Sequence, residues 1–116
     1  MKNLKLLVLS SISLLFCSLL SAQQLDKAQA DREAQLILNQ YQADLELTIE
    51  QVTDFHHTIS MYLLKRSEIE NKALAPAAQK NAMTQLSNEE TSKMSSILDK
   101  HQLKVYKKMK PKIQPL

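Results

Sequence analysis

Glycine and tryptophan are absent from this 116-residue chain, which has only three prolines, one cysteine and 4% aromatic residues. Each shortage excludes something. Without glycine, the φ > 0 positions of tight hairpin turns lack their usual occupant, which argues against β-meanders and sandwiches. A single cysteine, Cys17, cannot close an intramolecular disulfide, so no covalent staple supports the core. The chain has no glycine-rich phosphate loop and no Ser/His/Asp set that a fold would bring together. Acid pairs such as Glu89-Glu90 and Glu46/Glu50 stand without a nucleophile or a pocket-forming sheet. An enzyme is therefore not expected. The residues that are abundant (Leu, Ala, Gln, Lys and Glu) are helix formers, and the fold class they predict is all-α.

The amino terminus reads as an export signal. Lys2 and Lys5 form a short positive region, residues 6–20 are apolar or serine, and Ser21-Ala22 precede polar Gln23-Gln24. This order fits a secretory signal peptide over residues 1–22, cleaved after Ala22. A permanent membrane helix is the alternative, but the segment is shorter than the ~20 apolar residues a span needs. Lipidation of Cys17 is another, though bulky Phe16 stands where such sites take a small residue. Cleavage leaves 94 of the 116 residues and no cysteine. At that length one domain is expected, over residues 23–110, with residues 111–116 as a frayed tail.

Apolar spacing places four helices in that domain. Ala30, Ala34, Ile37 and Tyr41, widened by Leu38 and Leu45, form one stripe over residues 26–45. A second helix runs from Ile49 to about Lys72, with Val52, Phe55 or His56, Ile59 and Leu63 inward; it would be ~35 Å long and antiparallel to the first. Pro76 biases Ala75 away from the α region, so a connection falls at residues 73–76. A third helix is expected over residues 77–98, carrying Met83, Leu86, Met94, Ile97 and Leu98. Ser87-Asn88-Glu89-Glu90 within it is a second reading, a restart with its own cap. The last helix spans residues 100–110, with Leu103, Tyr106 and Met109 on one side, and is expected to stop at Pro111.

Two of these helices open on the same five-residue pattern. Leu47-Thr48-Ile49-Glu50-Gln51 recurs 51 positions later as Leu98-Asp99-Lys100-His101-Gln102. In each, a short acceptor (Thr48, Asp99) stands three residues before a glutamine, which is a capping box: the acceptor takes the N3 backbone N–H, and the glutamine reaches back to the cap's N–H. On this local view, losing Thr48 or Asp99 costs ~1 kcal/mol, and losing Gln51 or Gln102 costs less.

The repeated box, in an exported helical chain, resembles the Spy/CpxP family of periplasmic proteins, whose hallmark is a twice-repeated L-T-x-x-Q. The resemblance covers residues 26–110; Asp99 replaces the second Thr, and Ile49 and Lys100 stand where the family has Pro. It implies a periplasmic or secreted ATP-independent chaperone: four helices in a hairpin-like arrangement, in an extended antiparallel homodimer shaped like a cradle. Unfolded or partly folded polypeptides would be its partners. It equally implies a second reading, a regulatory subunit that senses envelope stress or metal and docks on a membrane sensor. Some relatives bind transition metals, which directs attention to His56, His57 and His101. Adjacent His56 and His57 point about 100° apart on one helix and do not face one metal easily. Neither a metal nor a cofactor is expected.

Charge is unevenly divided. Residues 23–99 carry a net −5, whereas residues 100–112 hold six lysines and no acid. Such a basic end suits acidic unfolded chains or peripheral contact with an anionic membrane surface; a nucleic-acid partner is not expected for an exported protein. The client-binding candidates are accordingly Lys104, Lys107 and Lys108 for attraction, with Met61, Tyr62, Leu103, Tyr106 and Met109 for apolar contact. Flexible thioethers, at Met61, Met83, Met94 and Met109, adapt to varied partners.

Overall fold

The computed structural model describes residues 24–116, and these form four α-helices with no strand among them. Helix α1 is Lys27–Leu45, α2 is Ile49–Asn71, α3 is Pro76–Ser95 and α4 is Lys100–Ile113. The expected signal segment, residues 1–22, lies outside the described residues. No described helix is long and apolar enough to cross a membrane.

The helices form a bundle in which α1 and α3 each pack against both α2 and α4. Successive helices alternate in direction. The start of α1 meets the end of α2 where the Leu25 N–H donates to Ser67 Oγ at 3.2 Å. The end of α1 meets the start of α4 where Gln102 reaches the Leu45 carbonyl. Helices α2 and α4 lie diagonally and touch through side chains, with the Phe55 and Tyr106 rings 6.0 Å apart edge to face.

The core follows the apolar stripes. Ala30, Ala34, Tyr41, Phe55, Ile59, Met94 and Tyr106 are all fully buried. Three of the four described aromatics, Tyr41, Phe55 and Tyr106, gather at the centre. Tyr41 packs against Phe55 and against Tyr106, each at 5.3 Å between ring centroids. Such contacts add about 0.5–1.5 kcal/mol per pair beyond area burial.

Two helix ends differ from the sequence reading. Helix α3 runs without a break through Ser87 but stops at Ser95, three residues early. Ser95 and Ser96 hydroxyls donate back to the Ser92 and Lys93 carbonyls, the local competition that ends helices. Helix α4 continues through Pro111 to Ile113. Pro111 removes only one N–H near the helix end, and the residues beyond it are anchored: Ile113 packs on the core and Gln114 is hydrogen-bonded to Tyr41 and Glu90. The glycine shortage also has a visible consequence. Glu46 (φ 49°) and Ala73 (φ 50°) take the left-handed positions after α1 and α2, where glycine would sit without strain.

Candidate functional site

Both repeated boxes form. The Thr48 side chain accepts from the Gln51 N–H at 3.2 Å, and Gln51 Oε1 accepts from the Thr48 N–H at 3.0 Å. In the second copy Asp99 Oδ1 accepts from the Gln102 N–H at 2.8 Å, and Gln102 Oε1 accepts from the Asp99 N–H at 3.0 Å. Leu47 and Leu98, which open the two copies, are both buried.

The two glutamines also meet. Gln51 Nε2 donates to Gln102 Oε1 at 2.8 Å, and Gln102 Nε2 donates to Gln51 Oε1 at 3.0 Å. The second amide hydrogen of each crosses to the other copy's approach segment: Gln51 to the Ile97 carbonyl and Gln102 to the Leu45 carbonyl, both at 3.1 Å. Each amide thus uses both donors and accepts twice, which is its full capacity. The clasp ties the α1–α2 connection to the α3–α4 connection and fixes the relative heights of α2 and α4. The glutamines are therefore more than the minor half of each box, and their replacement is expected to cost more than the boxes alone suggest.

A second polar unit lies deeper. Glu90 and Lys110 are both buried and pair at 3.2 Å. Lys110 Nζ also donates to the Ser87 carbonyl at 2.7 Å and to Thr91 Oγ1 at 2.9 Å. Glu90 further accepts from the Tyr106 hydroxyl at 3.0 Å and from Gln114 Nε2 at 3.2 Å. Tyr41 closes the chain by donating to Gln114 Oε1 at 2.7 Å. Burial, reinforced by the Glu90 charge, pushes the Tyr41 and Tyr106 hydroxyls far above the ordinary tyrosine range, so both remain donors. With every member partnered, the network locks α4 onto α3 and α1. Ser87, Glu90, Lys110 and Gln114 also line a surface hollow between α2, α3 and α4.

The client-binding candidates separate into three groups. Lys104, Lys107 and Lys108 are exposed; Met61, Leu103 and Met109 are half-buried; Tyr62 and Tyr106 are buried. Tyr106 is a core residue at the aromatic centre and has no surface to offer a client. Met83 and Met94 are likewise interior, leaving Met61 and Met109 as the adaptable thioethers at the surface. Of the histidines, His56 Nε2 lies 2.9 Å from the Asp31 carbonyl, joining α2 to α1, while His57 and His101 are exposed. Among the described residues no three His, Cys, Asp or Glu side chains gather as a metal site requires.

One feature escaped the sequence reading although its signal was plain. Leu25-Asp26-Lys27-Ala28-Gln29 matches residues 98–102 at four of five positions. It too forms a capping box, at the start of α1: Asp26 Oδ1 accepts from the Gln29 N–H at 2.8 Å, and Gln29 Oε1 from the Asp26 N–H at 3.0 Å. Comparing this chain with known proteins gave no match to any family model, curated protein or solved structure.

Proposed function

We propose that this chain is an exported helical protein that binds unfolded or partly folded polypeptides without ATP, as Spy/CpxP-type chaperones do. The observation that carries the reading is the repeated L-[T/D]-x-x-Q box, joined copy to copy through Gln51 and Gln102. Supporting it, half-buried Leu103 and Met109 pack at the margin of the core and Met61 is half-buried on α2, so small adjustments of these side chains would offer apolar surface to varied partners. Lys104, Lys107 and Lys108 extend from the same helix as Leu103 and Met109. Their charge would speed encounter with acidic segments, and apolar burial would then hold the complex. A cradle-shaped homodimer is part of this proposal.

The test is suppression of aggregation of a chemically denatured client. Wild type should protect at a near-stoichiometric ratio, and Met61→Ser should protect less at any salt. Lys104, Lys107 and Lys108→Gln together should slow protection chiefly at low salt, where screening is weak. If wild type gives no protection at any ratio, the chaperone reading fails and docking on a membrane sensor takes its place.

A further inference from the structure

Helix α4 sorts its side chains completely. Every exposed position in it is lysine, histidine or proline: Lys100, His101, Lys104, Lys107, Lys108, Pro111 and Lys112. Its sixth lysine, Lys110, points inward to Glu90. At 3.6 residues per turn the exposed set occupies an arc of about 140°, and Lys100 to Lys112 spans ~18 Å. The only ion pairs among the described residues are Arg66–Glu70 and Glu90–Lys110, so no carboxylate neutralises the five outward lysines. Solvated faces ordinarily mix both signs, as the exposed face of α1 does with Lys27, Arg32, Glu33 and Asp44.

We infer that this face of α4 is a docking surface for an anionic lipid bilayer. Charge complementarity selects a polyanion, and shape selects among polyanions. The lysines line the outer side of a helix whose inner side is packed against α1 and α3, so they present a convex row rather than a groove. A planar array of headgroups meets all five at once, whereas an extended acidic chain on a convex row lacks flanking walls. Apolar groups stand at the far end of the row: Pro111, Pro115 and Leu116 border one hollow together with Lys107 and the polar Ser87, Thr91 and Gln114, and Leu116 is 69% exposed. Positive charge beside an exposed apolar group suits the headgroup boundary. The apolar side of α4 stays in the core, so the contact is peripheral and reversible. It needs no client and does not depend on the chaperone reading.

Sedimentation with vesicles tests this, using the chain from Gln23, which contains all four helices and their core. Phosphatidylglycerol-rich vesicles should carry the protein down at about 0.01 M salt, and much less at about 0.15 M. Phosphatidylcholine vesicles should not. Each lysine near an anionic surface contributes roughly fivefold, so Lys104, Lys107 and Lys108→Gln together should lower partitioning about a hundredfold. A control with exposed Lys72, Lys80 and Lys93→Gln, equal in charge but off α4, should change it clearly less, since those lysines act only through general long-range attraction. Equal losses in the two triple variants would reduce the effect to net charge and overturn the inference. So would equal binding to both lipids. Binding to poly-glutamate without binding to phosphatidylglycerol would assign the face to acidic polypeptides instead.

Discussion

At one end of the bundle Gln51 and Gln102 each complete a helix cap and then bond to one another; at the other, Gln29 completes the same kind of cap and goes no further. The local chemistry is the same in all three boxes. What differs is the neighbourhood. Gln102 is buried and Gln51 half-buried between two chain connections, while Gln29 is exposed. A capping box is a local device that any helix start can use. It becomes a tertiary device only when packing brings two such starts side by side, so that each spare amide hydrogen finds a carbonyl from a distant segment.

That contrast is easiest to break at Gln102. Gln102→Ala removes the cap contact and the paired amide, and strands the buried Leu45 carbonyl, so a loss of about 2–3 kcal/mol is expected. Gln51→Ala should cost about 1–2 kcal/mol, because its site is wetter and water can reach the freed Ile97 carbonyl. The double replacement should cost less than the sum by about 1 kcal/mol, since each single change already breaks the shared pair. Denaturant unfolding of the four proteins measures all three quantities. Strict additivity would mean that the amide pair contributes no coupling.

The cap acceptors come next. Thr48→Ala and Asp99→Ala should each cost ~1 kcal/mol, through loss of one N-cap bond at an exposed position. Asp99→Thr should be nearly neutral, since it exchanges one good cap for another and leaves the Gln102 geometry intact. Thermal melts of the three variants decide this. A Thr48→Ala loss exceeding that of Gln102→Ala would return the glutamines to the secondary role that the isolated box suggests.

How far the sequence can reach depends on the same distinction between local and distant contacts. The starts of α2 and α4 are legible because a cap and its glutamine are three residues apart. The start of α3 is legible because Pro76 acts on its own backbone, and the stripe Ala30, Ala34, Ile37, Tyr41 is a periodicity within one helix. The amide pair is not legible, since it joins residues 51 apart and depends on the heights at which two helices settle. Lys110 reads as part of the basic surface because its acid partner lies 20 residues upstream; only its spacing of four from Tyr106 hints that it faces inward. Tyr106 does share one apolar side with Leu103 and Met109, but periodicity cannot separate the middle of such a side, which is core, from its margins. The box at residues 25–29 is as local as the other two. Asp26 reads first as an acid at a helix start, and only the reciprocal Gln29 reveals it as a cap.

The smallest effect is expected at that third box, and it sharpens the comparison most. Gln29→Ala removes one exposed bond to the Asp26 N–H, which water can replace, so the cost should stay within about 0.5 kcal/mol. Asp26 keeps its own bond to the residue-29 backbone, and α1 keeps its buried stripe. The same substitution, at the same position of the same kind of box, should therefore span several-fold in energy between the two ends. Denaturant unfolding of Gln29→Ala beside Gln51→Ala and Gln102→Ala reads this directly. If Gln29→Ala cost as much as Gln51→Ala, the reciprocal cap bond alone would account for the energy and the pairing of the amides would add nothing.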